Sequence, residues 1–176
     1  MNHKENEIKK ILWLIPIVLT IHNIEEALTM PEWMNLYVGI VKQQVPFMSH
    51  LQFSARQLYI SLVLVTIVPA VVTWFCLRGE IRTNGILALL TLQAIIFWNA
   101  LIPHMIGWFF LGMYNPGTMT AVIFNIPFSF YLFYQIRRSG IVPEKLIVRS
   151  IGMGLVIYLP LVYLNHLLAH TIANII

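Results

Sequence analysis

The chain has 176 residues, of which 59% are hydrophobic and only 10% charged, and its mean hydropathy is +0.77. Soluble domains carry about a quarter charged residues, so this composition excludes an ordinary soluble fold and predicts a polytopic membrane protein. The net charge of +4 does not predict a nucleic-acid partner, because the basic residues stand in short clusters at the ends of apolar runs, and the single cysteine, Cys76, excludes an internal disulfide.

Five apolar runs are long enough to cross a bilayer, and each is predicted to be helical because lipid offers no partner to unpaired backbone groups. We expect an all-α membrane helix bundle that forms one domain over residues 1–176, since a chain of this length accommodates a single bundle. The spans are expected at about 11–30, 57–77, 86–109, 118–136 and 148–172. The first run is expected to stay in the mature protein, because "IEEALTMPEW" offers no small-x-small cleavage site.

The connections between these spans differ in length. Residues 31–56 mix aromatic and aliphatic side chains with polar ones and are too polar to span. We expect this segment to lie in the outer interface as an amphipathic helix with a break at Pro46, either as a plain connector or as a lid. The connection "MYNPGTM" is short, and its Pro116 and Gly117 suit the two central positions of a type II turn.

The distribution of Lys and Arg predicts the orientation. Nine of the 11 basic residues fall before the first span or in the segments on the same side as it, and two fall on the other side. By the positive-inside rule, this asymmetry predicts a cytoplasmic N-terminus and an outside C-terminus, in an integral membrane protein of the bacterial cytoplasmic membrane.

Several polar side chains fall inside the predicted spans, where each needs a partner or a wet cavity. His22, Glu25 and Glu26 stand at i, i+3 and i+4, on one face of the first helix. Span three carries Gln93, Asn99 and His104, span four Asn125, and span five Asn165, His166 and His170. At about 1.5 Å of rise per residue, the residues of the first helix and His104, Asn125, His166 and His170 come to similar depths in the outer half of the bilayer.

The motif residues resemble those of a known family. "HNIEE", from His22 to Glu26, fits the motif of the HXXEE-domain membrane proteins, and His104 and the turn "YNPG" from Tyr114 match the further histidine and the YxPG turn of that family. The order and spacing agree from span one through span four. The resemblance implies a functional site, with an enzymatic role suggested by the polar pattern, but it implies no particular reaction.

The first functional interpretation is a metal site. Imidazoles and carboxylates are the ligands that zinc and non-haem iron take in proteins. The candidate ligands are His22, Glu25, Glu26, His104, His166 and His170. His22, Glu25 and Glu26 would also be the catalytic residues, one glutamate binding the metal and the other acting as general base for a metal-bound water. His166 and His170 could instead bond only to neighbouring helices.

Four further residues are expected around the site. Asn99, Asn125 and Asn165 could orient ligands or link helices by hydrogen bonds. Tyr114 could anchor the outer interface or close the mouth of the pocket. The substrate is expected to be a lipid or another lipophilic small molecule that enters from the side, and metal-assisted hydrolysis is the first choice of reaction.

Two alternatives remain open. In the first, no metal is bound, and a glutamate kept protonated by burial moves protons on an alkene or sterol-like substrate. The five-span plan with a His/Glu pocket is similar to that of the emopamil-binding-protein-like sterol isomerases, although the motifs do not align. In the second, the chain is not an enzyme and is a small carrier, a proton or metal pathway, or a structural membrane protein.

Overall fold

The computed structural model describes residues 3–44, 54–80 and 82–175, and in these ranges the chain is all-helical. Five continuous helices are long and apolar enough to cross a membrane: Lys4–Gln44, Ala55–Leu77, Thr83–Leu111, Thr118–Ser139 and Glu144–Ile175. Each contains one of the five predicted spans almost entirely, so the predicted number and order of helices is confirmed within the described ranges.

The elements are labelled in chain order. Helices α1 (His3–Gln44), α2 (Ala55–Leu77) and α7 (Glu144–Ile175) are single α-helices. The third long helix comprises α3 (Thr83–Asn99), a first π segment (Ala100–Ile106) and α4 (Gly107–Leu111). The fourth comprises α5 (Thr118–Thr120), a second π segment (Ala121–Asn125) and α6 (Ile126–Ser139).

The segment after Met30 differs from its prediction. Instead of a separate interfacial helix beginning near residue 31, α1 continues through Pro31 to Gln44. Pro31 costs one backbone hydrogen bond but keeps a helical φ, and the side chain of Trp33 beyond it donates to the carbonyl of Tyr114 at 2.8 Å. This tertiary contact supports the extension. The break expected at Pro46 lies outside the described residues.

The two π segments were not predicted, and a proline lies in or beside each. Pro103 lies inside the first segment, and Pro127 follows the second by two residues. Proline has no N–H for the i−4 carbonyl, and its ring clashes with that carbonyl, so the adjoining turn widens. Each wide turn therefore adjoins a proline, although Pro16, Pro31, Pro69 and Pro160 lie in helices that contain no π segment.

The apolar core lies at the end of the bundle where α1 and α3 begin and α6 ends. Leu12 and Ile15 of α1, Leu89 and Leu90 of α3 and Leu132 of α6 are completely buried there. Helix α7 packs closely along α3, because Gly154 lies against Ala94 where a Cβ atom would not fit. The polar side chains of the motifs lie farther along the same helices, toward the opposite end.

Candidate functional site

The turn between α4 and α5 brings the site together. Gly117 has φ 82° and ψ −10°, and the N–H of Thr118 donates to the carbonyl of Asn115 at 3.0 Å. These are the features of a type II turn with Gly117 at its third position, which confirms the prediction for "YNPG". The turn is fastened by the Asn115 amide, which donates to the carbonyl of Pro103 in the first π segment.

Gly117 lies directly against three of the predicted site residues. A Cβ atom at this position would come within 2.7 Å of His22 Cε1, 2.8 Å of His104 Cε1 and 2.9 Å of Glu26 Cγ. No side chain larger than hydrogen therefore fits between the turn and these three groups. This contact is the physical reason why the turn motif and the HxxEE motif belong to one site.

His22, Glu26 and His104 form the centre of the site. Their candidate ligand atoms all lie within 4.8 Å of one another, the only such group of three or more His, Cys, Asp or Glu side chains within the described ranges. The two imidazole rings meet edge to face, with centroids 4.7 Å apart and an interplanar angle of 86°. Glu26 Oε1 lies 3.5 Å from His104 Nε2, and the side chains of His104 and Glu26 are 3% and 15% exposed.

Thr120 holds His22 in one tautomer. The Thr120 hydroxyl donates to Glu25 Oε2, so it can only accept at its 2.9 Å contact with His22 Nδ1. Nδ1 therefore carries the proton of the neutral ring, and Nε2 presents a lone pair. Nε2 is buried and has no hydrogen-bond partner among the described residues. A ring nitrogen held in this way is the usual arrangement of a metal-binding histidine.

Glu25 lies next to the centre but faces the turn. Its Oε2 accepts from the backbone N–H of Thr120 at 2.7 Å, and its Oε1 accepts from the N–H of Met119 at 3.3 Å and from the hydroxyl of Tyr114. Both carboxylate oxygens are thus occupied. Partial burial, together with the hydrogen bond to Glu25 and the charge of that carboxylate, raises the pKa of Tyr114 to about 12, so its hydroxyl stays a donor at neutral pH.

A second chain of hydrogen bonds supports His104. The Asn99 amide contacts His104 Nε2 at 3.2 Å, and the hydroxyl of Tyr158 donates to Asn99 Oδ1 at 3.2 Å. Thr118 Oγ1 donates to the carbonyl of His104 at 3.3 Å. His104 Nδ1 is buried with no hydrogen-bond partner among the described residues. Helix α7 thus contributes to the site through Tyr158, which is only 4% exposed.

Other predicted site residues lie elsewhere in the structure. Asn165 donates to Ser61, His166 contacts the Gln57 amide at 3.2 Å, and both contacts join α7 to α2. His170 Nε2 contacts the amide of Asn174, one turn further along α7, at 3.1 Å. These three residues are not among the group around His22. Asn125 is 0% exposed and ends the second π segment.

Two residues of the site were missed from the sequence. Thr120 could have been noticed as a hydroxyl three residues after the turn glycine, at the first turn of a helix. Tyr158 has no local signal, because tyrosine is common in membrane helices at interfaces and only packing brings α7 against α3. Gly117 was assigned to the turn, but its contact with the site was not foreseen.

Comparisons with known proteins show the family of the chain. The chain is 26% identical over 141 residues to the uncharacterized protein YrkK of Bacillus subtilis (strain 168), an alignment that covers 79% of this chain and 83% of that protein. No solved structure matches the chain. Residues 13–132, which include His22, Glu26, His104 and the turn, match the family described as "protein of unknown function with HXXEE motif", and the chain therefore belongs to the HXXEE family.

Proposed function

We propose that the five long helices cross a membrane, with the N-terminus on the cytoplasmic side of a bacterial inner membrane. Large apolar side chains are more than half exposed along the helices, including Ile67, Val68, Val156 and Leu159, and such a surface requires lipid or protein around it. Lys9 also donates to the carbonyl of Gly79, so the basic start of α1 and the end of α2 share one end of the bundle. The positive-inside rule places that end in the cytoplasm.

Single cysteines test this orientation. In a Cys76→Ser background, Lys4→Cys and Asn174→Cys are treated with a membrane-impermeant maleimide on intact cells. We expect labelling of Asn174→Cys on intact cells and labelling of Lys4→Cys only after permeabilisation. The opposite pattern would reverse the orientation, and labelling of both on intact cells would contradict an odd number of spans.

We propose that the protein is a metal-dependent membrane enzyme whose metal ligands are His22, Glu26 and His104. The observation that carries the proposal is that His22, Glu26 and His104 bring their candidate ligand atoms within 4.8 Å of one another in a largely buried place, and that Nε2 of His22 has no hydrogen-bond partner among the described residues. Buried polar atoms are nearly always paired, so the unpaired Nε2 beside this group calls for a ligand.

The donor set limits the metal and the type of site. Two imidazoles with one carboxylate suit zinc in hydrolytic enzymes or iron(II) in the two-histidine, one-carboxylate arrangement. Three protein ligands leave a coordination position open, which is typical of catalytic and not of structural zinc sites. A metal held there would activate a water molecule or polarise a substrate oxygen.

The hydrogen bonds divide the two glutamates by role. Glu26 lies within the ligand group, whereas Glu25 has both oxygens engaged by the turn and by Thr120. We therefore assign metal binding to Glu26 and positioning to Glu25, which fixes the His22 tautomer through Thr120. The substrate is proposed to be lipophilic, because the surrounding helices expose apolar side chains to the membrane, and a lipid could enter the site sideways between these helices.

Elemental analysis of the detergent-purified protein tests this proposal. We expect about one zinc or iron per chain, and its loss in His22→Ala and in Glu26→Ala. The matched control is His170→Ala, which removes an imidazole bonded to Asn174 on its own helix and should leave the metal content unchanged. Absence of metal after incubation with excess zinc and iron, with helical content intact, would refute the metal site.

Metal-free acid–base isomerisation is the second candidate. It is favoured by the 3.5 Å contact between Glu26 Oε1 and His104 Nε2, a pair between which a proton can move in a largely buried site. A protein free of metal but active on an alkene or sterol-like substrate, with activity lost in Glu26→Gln, would select this candidate. Transport is less favoured, because the fully buried leucines around Leu12 and Leu90 form an apolar layer beneath the site.

A further inference from the structure

Four unpaired polar atoms lie outside the proposed metal ligands, and three of them belong to two side-chain amides. The structure holds six buried side-chain nitrogen or oxygen atoms without a hydrogen-bond partner among the described residues. Besides the two histidine nitrogens and Thr73 Oγ1, these are both amide atoms of Asn125 and the Oε1 atom of Gln93. Asn125 is 0% and Gln93 1% exposed. A ligand group that forms hydrogen bonds with these side chains would therefore remove the free-energy cost of burying unpaired polar atoms.

Ser129 of α6 links the side chain of Gln93 on α3 to the backbone of Asn125. The Gln93 amide nitrogen donates to Ser129 Oγ at 2.7 Å, and Ser129 Oγ donates to the backbone carbonyl of Asn125 at 2.6 Å. Gln93 is thereby held with its nitrogen paired and its oxygen free. Together, the two side chains carry one unpaired amide donor and two unpaired amide acceptors.

The π winding brings Asn125 nearer to the face of the helix that carries Thr120. In a π-helix, residues five apart lie nearer to a common face than they do in an α-helix. The first π segment shows this directly, since the side chains of Asn99 and His104 touch at 3.2 Å. The same spacing in the second π segment relates Thr120, which contacts His22, to Asn125. Asn125 then lies one wide turn deeper, at roughly 7 Å along the helix from Thr120.

The charges near Asn125 and Gln93 define the chemistry that these two side chains would accept. The sequence contains no Lys or Arg between Arg82 and Arg137, or between Lys10 and Lys42, whereas the site carries Glu25 and Glu26. An anionic head group would find no cationic partner on these helices and would meet two carboxylates. A free amide with donor and acceptors matches an uncharged group that can both give and receive hydrogen bonds.

We propose that Asn125 and Gln93 form a subsite for an uncharged hydroxyl or amide group of the lipophilic substrate, beginning about one helical turn from Thr120, which contacts His22. The inference rests on the proposed function for the identity of the reaction, but the subsite itself is defined by binding. It restricts the substrate class to lipids that are uncharged at this position.

Binding of model lipids tests the subsite. The affinity of the detergent-solubilised full chain for oleyl alcohol, oleamide, oleate and 1-octadecene is measured by native mass spectrometry. We expect the alcohol and the amide to bind about tenfold more tightly than octadecene and oleate, which corresponds to one or two hydrogen bonds. In Asn125→Leu this preference should disappear. Thr73→Val is the matched control, because it removes another buried unpaired polar atom, on α2, and should keep the preference.

A second variant and the metal content keep the outcomes separate. If Asn125→Leu does not fold, Gln93→Met removes the free acceptor while preserving shape, and should reduce the preference at least threefold, as expected for the loss of one hydrogen bond. Equal affinity for all four probes, or a preference that survives in the folded variants, would overturn the proposal and assign the amides to buried water. If a variant loses the preference for the alcohol but keeps its metal content, the subsite is separate from the metal site. If the wild-type protein contains no metal but still prefers the alcohol, only the metal proposal is refuted.

Discussion

The contact between the turn and the site gives a quantitative prediction for Gly117→Ala. Two penalties apply, because alanine at φ 82° is strained by about 1–2 kcal/mol and the new methyl would stand 2.7–2.9 Å from His22, His104 and Glu26. Overpacking of this kind costs about 1–3 kcal/mol. We therefore expect Gly117→Ala to reduce the free energy of unfolding by about 2–5 kcal/mol and to displace the ligands by several tenths of an ångström, beyond what a preorganised site tolerates.

Gly112→Ala provides the matched control. Gly112 has φ 64°, and a Cβ atom there would meet nothing within 4 Å, so this variant carries the backbone strain without the clash. Urea unfolding in mild detergent, followed by circular dichroism, gives the two stabilities, and elemental analysis gives the metal content. We expect Gly112→Ala to lose about 1–2 kcal/mol of its free energy of unfolding and to retain its metal. Gly117→Ala should lose about 2–5 kcal/mol and should also lose the metal. Equal stability and equal metal content in the two variants would refute the close packing of the turn against the site.

Three further substitutions test the groups around the ligands. Tyr158→Phe removes the hydroxyl that orients Asn99, and it should weaken metal affinity about tenfold without unfolding the protein. Tyr163→Phe, at an exposed position, should change neither metal affinity nor folding. Zinc titration with a competing chelator measures the metal affinity of each variant. Glu25→Gln keeps the shape of the side chain but replaces an acceptor by a donor facing N–H and O–H groups, so thermal unfolding should reveal a loss of about 1–3 kcal/mol. Trp33→Phe removes the donor to the turn and should cost about 1 kcal/mol in the same assay, more than Trp108→Phe at an exposed position.

Each substitution has an outcome that contradicts its reasoning. Unchanged metal affinity in Tyr158→Phe would mean that Asn99 orients His104 without help from α7. A Glu25→Gln protein as stable as the wild type would mean that the four hydrogen bonds to this carboxylate contribute nothing net. Equal stability of the two tryptophan variants would remove the role assigned to the extension of α1.

The residues of the centre show how far sequence reasoning reaches. His22, Glu26 and His104 were predicted because ionisable groups inside apolar runs are expensive, and a common depth follows from counting residues along helices of known rise. His166 and His170 satisfied the same criterion of depth, yet they contact Gln57 and Asn174 instead of this group. Depth alone does not give the direction in which a side chain points.

The sequence by itself predicted the membrane-protein composition, five long apolar helices, the type II turn and a group of polar residues that includes His22, Glu26 and His104, whose candidate ligand atoms lie within 4.8 Å of one another. These features follow from local chemistry, since hydropathy, proline and glycine conformations and helical spacing act over a few residues. Only the tertiary structure decided that α1 continues to Gln44, that two helices contain π segments, that Thr120 sets the tautomer of His22 and that Tyr158 supports His104. Those results depend on which helix faces pack together. One sequence does not tell how each helix is rotated about its axis, so it does not predict which side chains from distant segments meet.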